Sequence, residues 1–128
     1  MIDFEKLPIH HIGIAMDVQE FKQFTENLKI NNDKIQGVQT YFEYNQHLKC
    51  YLEYFTLTGR ASNYSSGYNH ICYSLKNYSS FLGMSEYLKK NRMGVQLTEL
   101  EQSGSSECNK VVFFYLKKFG IVEFNVIE

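Results

Sequence analysis

"HHIGIA" at residues 10–15 and "NHICYS" at residues 69–74 are two versions of one segment. Each lies at the head of a longer run, Pro8 to Met16 and Tyr68 to Leu75, that reads as a buried strand. Laid over each other, they put His11 and His70 in register. Side chains alternate between the two faces of a strand. In the first run Ile12, Ile14 and Met16 therefore share one face, and His11, Gly13 and Ala15 the other. In the second, Ile71, Tyr73 and Leu75 oppose His70, Cys72 and Ser74. The bulky faces are expected to pack under helices. The histidine faces carry only small neighbours, which leaves space beside each imidazole that a close-packed core would fill. By the same alternation His10 is expected to face away from His11, at an edge.

The segments after the two strands repeat as well. "DVQEFKQFTENL" (17–28) has Asp17 as a helix cap, Glu20 three residues later, and Val18, Phe21, Phe24 and Leu28 near helical spacing. "NNDK" closes that helix. Two aromatic and branched segments, about 35–44 and 48–57, form a hairpin through "NQH", which places His47 in a turn. The polar stretch 58–67 is a linker. In the second pass, "NYSSFLGMSEYLKKN" (77–91) is a helix with Phe81, Met84 and Leu88 on one face. Strands are expected at about 94–100, 110–116 and 121–127, with "EQSGSSECN" as a loop and "KKFG" as a turn. Each half is a strand, a helix, then two or three strands. The closing strands, "YLEYFTL" and "IVEFNVI", put Glu53 and Glu123 in register.

The 128 residues suffice for one domain, and 44% of them are hydrophobic, enough for a real core. With a net charge of −1 and scattered basic residues, there is no basic patch to bind nucleic acid. No segment approaches the roughly 20 apolar residues of a membrane helix, and the first ten residues hold no apolar signal core. A cytoplasmic protein without membrane association is expected. Three cysteines, Cys50, Cys72 and Cys108, have no paired spacing; no disulfide framework is expected, and Cys50 and Cys72 read as small core residues.

Glu53 and Glu123 sit among large apolar residues, with no Lys or Arg in either strand to pair with them. Glutamate is disfavoured in strands and costly to bury as an anion. Two carboxylates converging on one cleft would repel each other. A divalent cation removes both problems, and two neutral imidazoles complete four ligands with positions left for water or substrate. Such a His2Glu2 set suits Mn, Fe, Co, Ni or Zn better than Ca or Mg. Glu43, in "YFEYN", rivals Glu53 because its neighbours are nearly the same. If the hairpin turn spans about four residues the two point to opposite faces, and only one serves.

"HHIGIA", "NHICYSL" and "KVVFFYLKKFGIVEFNVIE" resemble the vicinal oxygen chelate superfamily, the glyoxalase I-like proteins, and within it the methylmalonyl-CoA epimerase-like branch. The resemblance runs from about residue 8 to 127. It implies an α+β fold of two βαβββ modules, about 8–57 and 68–127 within a single domain 1–128, forming a curved mixed sheet around a central cleft. It implies one divalent metal ion held by a residue from each of four strands. Position by position these are His11, His70 and Glu123, with Glu53 rather than Glu43 as the fourth. It further implies a metal-dependent isomerase or lyase that stabilises an enolate-like intermediate of a small carbonyl or thioester substrate. Glu123 is then the first candidate, and Glu53 the second, for moving the proton beside the carbonyl. A homodimer is expected, since relatives often pair and aromatic residues are abundant.

Three departures mark this chain off from the epimerase-like pattern. "TLTGRASNYSSG" (56–67) is shorter than the corresponding segment and lacks its serine-proline portion. "DKIQGVQ" (33–39) offers only Asp33 where a two-base epimerase needs a second acid. Arg60 and Arg92 are the sole arginines, too few for an obvious phosphate clamp. The alternative is a non-catalytic small-ligand-binding module like the bleomycin-resistance proteins, which usually lack the four metal residues. A metal-carrying fold in an assembly is a third reading.

Overall fold

The protein is described by a computed structural model that covers residues 3, 6–105 and 107–127. Residues 1, 2, 4, 5, 106 and 128 of the expected domain lie outside the described residues. The first half runs β1 (Ile9–Met16), α1 (Val18–Phe24), β2 (Asn31–Asp33), β3 (Val38–Asn45) and β4 (Cys50–Thr56). A 3-10 turn at Gly59–Ala61 leads to the second half. That half runs β5 (Gly67–Leu75), α2 (Tyr78–Lys90), β6 (Gly94–Gln96), β7 (Glu101–Gln102), β8 (Lys110–Leu116) and β9 (Gly120–Val126). The strands form one curved, open mixed sheet in the order β2-β3-β4-β1-β5-β9-β8-β6, with β7 also on β8.

Three pairings at the middle of the sheet place the site. β1 and β5 run antiparallel, each with a parallel partner on its other side, β4 for β1 and β9 for β5. The closing strand of each half thus lies beside its opening strand, and the two halves meet back to back. Every one of these four strands brings one residue of the repeated His and Glu positions to the same face.

The helices are capped as their sequences dictate. Asp17 accepts the Gln19 amide, and Asn77 accepts the Ser80 amide. α1 is shorter than its apolar spacing implies: it stops at Phe24, and Thr25 turns its hydroxyl back onto the Phe21 carbonyl. Asn31–Asp33, expected to close the helix, instead forms a short strand on β3. Likewise 94–100 divides, and only its first three residues pair with β8 as β6. The hairpin turn spans residues 46–49, between the paired Asn45 and Cys50, with His47 exposed in it. Lys49 takes the positive φ (55°) that closes the turn.

The bulky faces behave differently in the two halves. Tyr73 and Leu75 pack with Phe81, Met84 and Leu88 of α2 and with Val112, Phe114, Leu116, Val122, Phe124 and Val126, while Ile71 packs against them. Ile12, Ile14 and Met16 are only half-buried, because seven-residue α1 covers less of the sheet and buries Phe21 alone.

Candidate metal centre

On the opposite face of the sheet the four side chains meet. His11 (β1), Glu53 (β4), His70 (β5) and Glu123 (β9) each offer one ligand atom, all within 4.8 Å of one another. The register explains it. Gly13 lies opposite both Glu53 and His70, while Cys72 lies opposite both His11 and Glu123. Each histidine therefore faces the small residue that stands two places after the other histidine. The space expected beside each imidazole is taken up in this way. A Cβ on Gly13 would run into the His70 ring at Cε1, Nδ1 and Nε2. Glycine there is a condition for His70 to reach the centre. Glu43 pairs with Leu52 and Glu53 with Phe42, so the two glutamates face opposite ways, and Glu43 is exposed.

The His11 Nε2 atom lies 2.9 Å from Glu123 Oε1 and 3.3 Å from Glu53 Oε1. His70 Nε2 lies 3.0 Å from Glu123 Oε1 and 3.6 Å from Glu53 Oε1. The two Nε2 atoms are 3.3 Å apart. With metal–ligand bonds of roughly 2.1 Å, neighbouring donor atoms should stand about 3.0 Å apart at right angles and about 3.4 Å at the tetrahedral angle. The observed spacings span those values, and the donor set of two imidazoles and two carboxylates fits a mid-row divalent ion.

Without an ion, the same four groups hold one another in charged form. Burial works against charge on Glu53 and Glu123, but His11 and His70 beside them outweigh it and hold both carboxyls below the usual range. Burial likewise opposes charge on the two rings. The Glu53 and Glu123 carboxylates outweigh it, raising His11 well above its ordinary value and raising His70. Burial pushes the Cys108 thiol up to about 11 and the Cys72 thiol well above its usual value, so both stay protonated at neutral pH. All three cysteines are free and buried.

A cavity of about 340 Å³ opens beside the cluster. Glu53 and His70 line it, as do Val38, Phe55, Leu97 and Phe113 on the apolar side and Gln36, Arg60, Tyr64, Asn69 and Thr98 on the polar side. Glu123 and His11 lie behind these, with side chains 5% and 0% exposed against 13% for Glu53. Arg60 is paired with Glu101. Asp33 turns away from the cavity, accepting the Ile35 and Gln36 amides and the Gln36 side chain.

His10 departs from the expected edge position. The β1–β5 register slips between Ile9 and His11, so His10 is an extra residue that the strand alternation does not govern. Its ring lies beside that of His11, edge to face, with centroids 4.9 Å apart. His10, Asn69 and the loop before β8 are the parts of the cluster's surroundings that strand parity alone does not reveal.

No protein-family model matches the chain, and no curated protein matches it in sequence. Solved structures do match. A methylmalonyl-CoA epimerase from Mycobacterium tuberculosis superposes with a TM-score of 0.69 at 11% identity, covering 98% of this chain and 92% of that one. A hypothetical protein from Bacillus halodurans gives 0.64 at 18% identity, covering 96% of each chain. A Streptomyces coelicolor methylmalonyl-CoA epimerase in complex with 2-nitronate-propionyl-CoA gives 0.59 at 18% identity, covering 94% and 95%. At these identities the likeness establishes the fold, which is that of the vicinal oxygen chelate proteins.

Proposed function

We propose that this chain is a metal-dependent isomerase or lyase that moves a proton beside the carbonyl of a small substrate. The observation that carries the reading is the convergence of two imidazoles and two carboxylates on one point at the wall of a cavity. His11, Glu53, His70 and Glu123 would hold the ion. When bound, a divalent ion supplies Lewis acidity that stabilises negative charge developing on a carbonyl oxygen. Glu53 is the carboxylate that a molecule in the cavity reaches, and so the one positioned to take a proton from it. Glu123, the first candidate by resemblance, lies deeper and is tied to both histidines, which favours holding the ion over moving the proton. The apolar side of the cavity excludes water from the reacting carbon.

Glu53 is the sole carboxylate among the described residues that line the cavity, and Asp33 is turned away. A one-base proton shift or elimination fits this better than an epimerisation that needs acids on both sides. The volume lies near the lower end of the roughly 300–1,000 Å³ of small-molecule sites. With Arg60 already paired and the 56–67 segment short, a small carbonyl compound suits the cleft better than a coenzyme A thioester, the ligand class seen in the epimerase structures.

The test is proton exchange. Protein loaded with zinc or manganese is incubated in deuterated water with a panel of small hydroxycarbonyl compounds, and loss of the adjacent C–H signal is followed by NMR. Exchange that disappears in Glu53→Gln supports the reading. Exchange that survives in both Glu53→Gln and His11→Ala would refute it. Compounds that stabilise the fold without any exchange would place the chain with the ligand-binding modules.

A further inference from the structure

The repeat extends to the residue before each histidine. β1 has an extra residue at His10, and β5 has one at Asn69, where the register slips between Gly13 opposite His70 and Ile14 opposite Tyr68. Both extra residues turn a polar atom onto the Nδ1 of the adjoining histidine. His10 Nδ1 lies 2.7 Å from His11 Nδ1, and Asn69 Oδ1 lies 2.7 Å from His70 Nδ1. We propose that His10 and Asn69 are paired positioning residues that keep the proton of each ligand histidine on Nδ1, so that both Nε2 lone pairs face the metal. This rests on the reading of the four-residue cluster as a metal centre.

The hydrogen bonds assign the ring protons on Nδ1 of His11 and His70 and on Nε2 of His10. Asn69 Oδ1 can only accept, so His70 Nδ1 donates. His10 Nε2 lies 2.7 Å from the Glu107 carbonyl oxygen, which can only accept, so His10 carries its proton on Nε2. His10 Nδ1 is then an acceptor for the His11 Nδ1 proton. The Glu107 carbonyl is itself fixed. Its loop is closed by the Ser103 amide on the Asn109 carbonyl at 2.8 Å, and the Asn109 amide donates to Asn125 Oδ1 at 2.7 Å. Asn125 is buried two residues beyond Glu123 on β9. The chain of contacts leaves β1 through His10 and returns to the strand that carries Glu123. Partners of this kind on metal-bound histidines are typically worth about 10–100-fold in metal affinity.

His10, His11 and Cys72 also bring ligand atoms within 4.8 Å of one another. A second ion there would need both ring nitrogens of His11, and hence loss of its last ring proton. The 2.7 Å Nδ1 to Nδ1 spacing is that of a hydrogen bond. The buttress accounts for the trio without a second metal.

The test uses zinc, which is diamagnetic, and the full chain. Wild type, His10→Phe, His10→Asn, Asn69→Leu and Asn69→Asp are titrated against a competing chelator, and imidazole tautomers are read from long-range nitrogen–proton NMR. Expected are one zinc per chain, Nδ1–H signals for His11 and His70, and affinity about 10–100-fold lower in His10→Phe and Asn69→Leu. His10→Asn and Asn69→Asp, which keep an acceptor at Nδ1, should stay within a few-fold of wild type. Unchanged affinity in both Phe and Leu variants, zinc on an Nδ1 atom, or a second zinc lost in His10→Phe would each overturn the proposal. A wild type that takes up no zinc would take down the metal reading itself, and this one with it.

Discussion

Eleven buried side chains gather around α2 in the second half of the chain, against four in the cluster of the first half, Ala15, Val38, Phe55 and Ala61. Yet the two halves contribute equally to the centre, one histidine, one glutamate and one buttressing residue each. The dense half holds His70 and Glu123 between a tightly packed layer and the centre. The lighter half carries Glu53, the most accessible of the four, at the cavity wall. A repeated strand plan sets the symmetric cluster, while the unequal helices make one half a dense foundation and the other a lighter rim, both lining the cavity.

The largest expected break in that comparison is Leu88→Ala, a fully buried side chain of α2. It should destabilise the protein by about 2–5 kcal/mol in denaturant unfolding. Val38→Ala, in the lighter half, should cost about 1–2 kcal/mol. Equal costs would erase the distinction between foundation and rim.

Gly13→Ala comes next. Its methyl group has to displace the His70 ring, an overpacking cost of about 1–3 kcal/mol. Metal affinity should fall with it, measured by chelator competition. Gly83→Ala, where a Cβ on α2 meets nothing outside its own helix within 4 Å, should raise stability by about 0.5–1 kcal/mol and leave metal affinity unchanged.

The cluster also sets the pH dependence. The raised pKa values of His11 and His70 stabilise the metal-free fold below the ordinary histidine value, and that stability is lost as pH rises through the raised values. The lowered values of Glu53 and Glu123 contribute stability above the ordinary carboxyl range, lost as pH falls through the lowered values. Metal-free protein should therefore be most stable between about pH 4.5 and about pH 6.5 and weaken above it. Metal binding must displace the histidine protons, so the gain in Tm from zinc should widen from about pH 6 to about pH 8. The smallest effect belongs to the exposed Arg60–Glu101 pair: Glu101→Gln should shift stability by less than about 1 kcal/mol.

Much of the centre is legible in the sequence because strand parity and the repeat are both short-range patterns. His11 with His70, and Glu53 with Glu123, fall in register from the order of residues alone, and parity also sets Glu43 apart from Glu53. Parity fails where a strand gains a residue. A bulge leaves no mark in composition, so His10 reads as an outward neighbour although it lies against His11. The asparagine in "NHICYS" is the one signal the sequence offers, since it stands in register with His10 and shares its hydrogen-bonding ability. The role of Gly13 depends on a ring from a strand more than fifty residues away, which local pattern cannot supply. Likewise the Asn109–Asn125 bond that steadies Glu107 is a tertiary contact. The lighter first half is harder to read throughout: α1 ends early, and β2 stands where the helix was expected to close.

Elemental analysis of untagged protein, beside a His70→Ala control, tests the central claim most directly. The account predicts about one equivalent of a mid-row divalent metal in the wild type and little in the variant. No metal in the wild type, and no uptake after incubation with manganese, cobalt, nickel or zinc, would contradict it.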